Sequence, residues 1–154
     1  MTTMIKGKDI KFINLGISVS KAAVAVVGTS VKPLFTVAGG RVLITSIVGQ
    51  VVTVIQTTAN ATNVISTPTT GTAVNLCATL DITGDESGCL YSLTGLAADV
   101  MVGTNAGAAS GLRNGIIVPI GVIGMGNAAA ACTGSVKWDI TYIPLDDGAT
   151  VVAA

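Results

Sequence analysis

The densest group of side chains that could do chemistry is acidic. Asp81, Asp85 and Glu86 place three carboxylates within six residues, and carboxylate oxygens are the ligands that calcium prefers in proteins. An EF-hand loop needs acidic residues at alternating positions and a glutamate at its end, and this segment lacks that order. Gly84 and Gly88 favour a turn here. The segment therefore predicts a solvated turn, and we expect no metal site.

A glycine motif follows the apolar residues 116–123. Gly124, Gly126 and Ala129 fit the G-x-G-x-x-A spacing of dinucleotide-binding proteins, and Asp146 follows at about the distance of a ribose-binding acid. That fold needs a helix of about three turns after the glycines. Gly134 follows too soon to leave room for such a helix. The motif therefore predicts a loop between two strands, and no cofactor is expected.

The remaining reactive groups match no known catalytic arrangement. The chain contains no histidine, which excludes histidine-dependent triads and metal sites built on imidazole. Walker, G-x-S-x-G and H-E-x-x-H motifs are also absent from the sequence. An active site could rest only on carboxylates such as Asp81, Asp85, Asp99 and Asp139. We therefore expect a protein that is not an enzyme.

The three cysteines are Cys77, Cys89 and Cys132, and they form no C-x-x-C pair. Their apolar or small neighbours favour buried free thiols over a redox or zinc site. Because Cys77 and Cys89 flank the acidic turn, they could instead oppose each other across a hairpin and form a disulfide. The sequence leaves both alternatives open.

Charged residues are few and are segregated along the chain. Eight basic and eight acidic residues give 154 residues a net charge of zero, which argues against a nucleic-acid partner. Residues 1–41 carry six basic groups and one acid, whereas residues 42–154 carry two basic groups and seven acids. Lys6, Lys8 and Lys11 therefore suggest a basic N-terminal arm, residues 1–11, that either contacts a neighbouring subunit or forms a solvated tail.

Residues 42–80 carry no charge, and about 20 apolar residues suffice to cross a bilayer. This stretch contains Gln50, Gln56, Asn60 and Asn63 together with many threonines. Such a sequence makes a poor lipid-facing helix and a good sheet interior. We therefore expect no membrane partner.

The composition favours strands, because the chain holds 20 Val, 15 Ile and 20 Thr and β-branched residues fit a pleated sheet. In residues 135–143 apolar and polar side chains alternate, which places Val136, Trp138, Ile140 and Tyr142 on one face. We predict an all-β protein: a single antiparallel β-sandwich domain of jelly-roll type with about eight strands, spanning residues 12–154, with these four side chains in its core.

Further strands are predicted from apolar runs between turn residues. They cover residues 12–19, 22–27, 31–37, 42–55, 63–66, 72–80, 89–94, 100–102 and 116–123. The segment 42–55 is either one long bent strand or two strands that meet near Gly49 and Gln50.

The C-terminal segment, residues 134–151, resembles the ending of a family of small tailed-bacteriophage virion proteins. It contains the alternating strand with Trp138 and Tyr142, followed by the turn Asp146-Asp147-Gly148. Residues 38–49 and 69–77 are similar as well, so the resemblance covers most of the chain. These proteins are similar in size and β content to capsid decoration, or cement, proteins.

The resemblance implies a non-enzymatic protein on the outer surface of the phage capsid, made in the host cytoplasm. Its implied partners are the major capsid protein and further copies of itself, as a dimer or trimer. The charge distribution would place Lys6, Lys8 and Lys11 at this interface. The alternatives are a phage tail, neck or fibre component, or a small carbohydrate-binding or adhesion module.

Overall fold

The computed structural model describes residues 7–56, 58–105, 108–109, 111–129 and 131–154. Within these ranges the chain forms one short helix and twelve strands. They are α1 (Gly7–Leu15), β1 (Ile17–Ala25), β2 (Lys32–Ala38), β3 (Val42–Thr53), β4 (Ala61–Pro68), β5 (Val74–Asn75), β6 (Leu80–Asp81), β7 (Leu90–Ser92), β8 (Val102–Thr104), β9 (Ile116–Val118), β10 (Gly121–Asn127), β11 (Ser135–Pro144) and β12 (Thr150–Ala153).

The strands form two antiparallel sheets of six strands each. Sheet A has the order β1-β11-β3-β7-β8, with β9 also beside β3. Sheet B has the order β12-β2-β10-β4-β5, with β6 also beside β4. Apolar side chains from both sheets pack into one buried core. The prediction of an all-β protein with antiparallel sheets is therefore confirmed, and the arrangement is sandwich-like.

Strand β11 is an interior strand of sheet A, between β1 and β3. Val136, Trp138, Ile140 and Tyr142 are all buried, as the alternating sequence predicted, and Trp138 is completely inaccessible to solvent. Lys137 and Asp139 are exposed on the opposite face. The alternation of apolar and polar residues in the sequence therefore corresponds to alternating buried and exposed side chains, because successive side chains of a strand point to opposite faces.

Strand β3 is a single strand of twelve residues, so the alternative of two strands meeting at Gly49 is not formed. Gly49 lies directly opposite Trp138 on β11. A Cβ atom on Gly49 would lie 2.9 Å from the Cη2 and Cζ3 atoms of the indole ring. The glycine is therefore needed because the ring occupies the space of a side chain.

The substitution Gly49→Ala should lower the free energy of unfolding by about 1–3 kcal/mol, because it overpacks the core against the Trp138 ring. Urea unfolding at equilibrium measures this difference. Gly111→Ala is the matched control, since a Cβ there meets nothing within 4 Å. Equal stability of the two variants would contradict the contact between Gly49 and the ring.

The N-terminal segment differs from the prediction. Phe12–Leu15, predicted as part of a strand, belongs to helix α1, which also crosses the boundary drawn at residue 11. The two strands predicted for residues 12–19 and 22–27 are the single strand β1. Gly16 ends the helix: its φ is +82°, and its N–H donates to the carbonyl of Phe12 at 2.9 Å. A glycine in this conformation is a common helix stop.

The loop predicted at Gly124 and Gly126 was wrong, because both glycines lie inside β10, between β2 and β4. A Cβ on Gly124 would lie 2.5 Å from the Cγ1 atom of Val31, and one on Gly126 would overlap the Oδ1 atom of Asn63. Close packing of neighbouring side chains therefore requires these glycines. The described residues that follow, 128–129 and 131–134, are not helical, so the dinucleotide-binding arrangement is not formed there.

Two other predicted strands are divided in the structure. Residues 72–80 yield only the short strands β5 and β6, and residues 116–123 are split at Pro119 into β9 and β10. Proline has no N–H to donate to a sheet, which explains the interruption at Pro119.

The cysteine alternatives are also resolved. Cys77, Cys89 and Cys132 are buried and free, so the prediction of buried thiols is confirmed and the bridge between Cys77 and Cys89 is not formed.

Candidate interaction surface

The acidic turn is held together by its own carboxylates. An Oδ1 oxygen of Asp81 accepts hydrogen bonds from the backbone N–H of Asn60 at 3.0 Å and of Thr83 at 3.1 Å, and from the Thr83 hydroxyl. The Thr83 hydroxyl and these N–H groups lower the pKa of Asp81. The buried Tyr91 hydroxyl donates to Asp85 at 2.6 Å, and burial raises the pKa of Tyr91. The carboxylate oxygens of Asp81 and Asp85 therefore stabilise the turn through hydrogen bonds to neighbouring residues.

The other carboxylates considered for an active site accept hydrogen bonds from hydroxyl groups. Asp99 accepts from Thr94 at 2.8 Å, and Asp139 accepts from Ser20 on the neighbouring strand at 2.5 Å. The part of the chain that the structure describes contains no cluster of three or more metal-ligating side chains. None of the four candidate aspartates lines the grooves described below.

The three lysines predicted at an interface are at the N-terminus. Lys6 lies outside the described residues, whereas Lys8 and Lys11 lie on α1. The structure places α1 immediately before β1, at the edge of sheet A.

Two adjoining grooves lie on the surface around Pro68 and Pro119. The first has a volume of about 300 Å³ and is lined by residues of β5 and β9 together with Ala97. The second, of about 220 Å³, contains Ile120 and the Arg41–Asp146 pair. Both share Pro68 and Pro119, so they form one continuous surface.

Four large aliphatic side chains on or beside these grooves are exposed, and we call them the edge patch. Their exposed fractions are 57% for Val74, 51% for Leu96, 61% for Ile117 and 41% for Ile120. Val74 is on β5 and Ile117 is on β9, both of which lie at sheet edges. Apolar patches beside open sheet edges are typical of protein interaction sites. Sequence reasoning missed these residues, because nothing in a linear pattern says which strands lie at an edge.

An ion pair between Arg41 and Asp146 lines the second groove. The Arg41 Nε atom donates to Asp146 Oδ2 at 3.0 Å, Nη2 donates to Oδ1 at 2.8 Å, and the Arg41 backbone N–H donates to Oδ2 at 2.7 Å. The side-chain and backbone hydrogen bonds from Arg41 hold the pKa of Asp146 at about 2. Asp146, considered above as a ribose-binding acid, is thus engaged by Arg41.

The stability that this pair supplies should depend on pH. Because the pKa of Asp146 is lower in the folded chain than its ordinary value of 3.8, the contribution is complete above about pH 4 and is lost as the pH falls toward about 2. NMR titration of the Asp146 carboxyl carbon in Arg41→Gln should give a higher pKa, still below 3.8 because the backbone N–H remains. Arg113→Gln is the control, because the structure pairs Asp146 with Arg41, and it should leave the Asp146 titration unchanged. An Asp146 titration identical in Arg41→Gln and the unsubstituted chain would contradict the pairing.

No protein family, no curated protein and no solved structure matches this chain. Among the described residues, no helix is both long and apolar enough to cross a bilayer. The fold and the edge patch together define an all-β protein with an exposed apolar surface.

Proposed function

We propose that this protein is a non-enzymatic structural protein of a tailed-bacteriophage particle, which decorates the outside of the head and stabilises contacts between major capsid protein subunits. The edge patch carries the proposal, because its side chains are 41–61% exposed, three of them line the two adjoining grooves, and Leu96 lies between the lining residues Gly95 and Ala97. Burying apolar surface stabilises a complex by about 25 cal/mol per Å² before the costs of association. A cement protein needs such a surface and no catalytic group.

The resemblance of residues 134–151, 38–49 and 69–77 to small virion proteins supports the same proposal. In this proposal the edge patch contacts the capsid subunits, and the copies associate as a dimer or trimer. Lys6, Lys8 and Lys11 add an electrostatic contact near α1, whose attraction to an acidic partner falls as salt increases.

We also propose that the two sheets form a jelly roll. In that fold a long hairpin pairs strand 1 with 8, 2 with 7, 3 with 6 and 4 with 5, and then rolls up so that strand 8 lies beside 3 and strand 7 beside 4. Taking β1, β2, β3, β4, β5, β7, β10 and β11 as the eight strands, each of these pairings occurs. The strand order supports a fold that viral capsid domains often use.

The copy number of the protein in purified virus particles tests the proposed role, by quantitative mass spectrometry against the major capsid protein. A copy number comparable with that of the capsid protein supports decoration of the head. A handful of copies would indicate a tail, neck or fibre component, and none would contradict a virion role.

The substitution Ile117→Asp should reduce the occupancy of the protein on particles by about tenfold or more, because it places a charge at the most exposed side chain of the edge patch. Occupancy on decorated particles is measured after rebinding of purified protein. Val152→Asp is the matched control, since Val152 is 53% exposed on β12, at the opposite edge of sheet B from β5. Equal occupancy of the two variants would remove the edge patch from the proposal.

A further inference from the structure

A third groove lies between helix α1 and the outer face of sheet A, and its volume is about 570 Å³. This exceeds the volume of either groove at the edge patch and falls within the roughly 300–1,000 Å³ of small-ligand sites. We propose that this groove binds a neutral saccharide. The inference does not depend on a role in a virus particle.

The polar part of the groove consists of hydroxyl and amide groups. Ser18, Thr45, Ser46 and Thr141 line it from three adjacent strands, and Asn14 lines it from α1. The Ser18 and Thr141 hydroxyl oxygens are 3.1 Å apart. A hydroxyl has one donor and two acceptor sites, so this mutual hydrogen bond leaves capacity for a ligand. Neutral groups that both donate and accept match the hydroxyls of a sugar.

The apolar part of the groove includes an unusual aromatic side chain. The chain has five aromatic residues, and the other four are at most 3% exposed. Phe12 is 48% exposed and lines the groove together with Leu15 and Ile143. An exposed ring offers a flat apolar surface, which suits the C–H face of a pyranose. Phe12 is therefore the side chain expected to carry most of the affinity.

Charge narrows the class of ligand. Of the described side chains that line the groove, none is charged. A phosphate, a carboxylate or an amine would lose its hydration without gaining a charged partner. The lining therefore favours an uncharged, polyhydroxylated ligand over a nucleotide, an acidic sugar or a basic peptide.

Titration of the full chain with neutral hexoses, N-acetylhexosamines and their disaccharides, followed by NMR of the backbone amides, tests the proposal. We expect saturable shifts at Ser18, Thr45, Ser46 and Thr141, with a dissociation constant of about 1 mM for at least one saccharide. Phe12→Ala should weaken binding about fivefold to tenfold. Ile10→Ala is the matched control, because Ile10 is on the same helix and 49% exposed but does not line the groove.

Three results would overturn the proposal. The first is that no saccharide of the panel gives saturable shifts at the groove, and the second is that Phe12→Ala and Ile10→Ala bind equally well. The third is that sedimentation detects self-association which Phe12→Ala weakens and saccharides leave unchanged, because a second copy would then cover the groove. The backbone amide spectrum of sheet B shows whether Phe12→Ala is folded. Helix α1 precedes β1 of sheet A, so the sheet B signals should be the same in the variant and in the unsubstituted chain.

Discussion

Replacing Trp138 with alanine is expected to lower the free energy of unfolding by about 3–5 kcal/mol. The indole ring is fully buried and lies over Gly49 of the neighbouring strand. Its removal leaves a cavity in the middle of sheet A that a rigid sheet cannot close. Equilibrium urea unfolding measures the loss, and a loss below about 1 kcal/mol would contradict burial of the ring.

The conservative variant Trp138→Phe should lose clearly less stability than Trp138→Ala. The Nε1 atom of Trp138 is buried and makes no hydrogen bond within the described part of the chain, so phenylalanine removes no hydrogen bond and keeps much of the apolar volume.

The contact between Gly49 and the indole ring is tested by combining Gly49→Ala with Trp138→Ala. The stability lost on Gly49→Ala should largely disappear when the ring is already absent. A double-mutant cycle measures this coupling, expected at about 0.5–3 kcal/mol.

The second large effect is expected at Asn60, where the substitution Asn60→Leu should cost about 2–5 kcal/mol. Asn60 is completely buried. Its Oδ1 atom accepts hydrogen bonds from the N–H groups of Ala128 at 3.1 Å and Ala129 at 3.3 Å, and its Nδ2 atom donates to the carbonyl of Val26 at 3.3 Å. Leucine has a similar volume but leaves three backbone groups without a partner. Each unpaired buried group costs about 1–3 kcal/mol.

Asn114→Ala is the matched control for Asn60, because Asn114 is exposed and should change stability by less than about 0.5 kcal/mol. Unfolding of both variants is measured under the same conditions. Faster hydrogen exchange of the Ala128 and Ala129 amides in Asn60→Leu would locate the loss. Equal stability of Asn60→Leu and Asn114→Ala would show that the buried hydrogen bonds contribute nothing net.

The candidate sites were predicted to different extents. The turn predicted for residues 81–86 forms after Asp81, which ends strand β6; glycines and carboxylates favour turns locally. The edge patch was not predicted, since Val74 and Ile117 resemble core residues in sequence and are exposed only because their strands lie at sheet edges. The role of Asn60 was missed for the same reason: its partners at Val26 and Ala128 are distant in the chain.

The sequence by itself determined that this protein is all-β with antiparallel sheets, and that Trp138 and its neighbours on β11 enter the core. These features depend on residue type and a period of two, which act over a few residues. The tertiary structure decided that Gly124 and Gly126 lie within a central strand, that Gly49 accommodates an indole ring, and that Arg41 pairs with Asp146 across 105 residues. Such contacts depend on which strands become neighbours, and a local pattern carries no information about that choice.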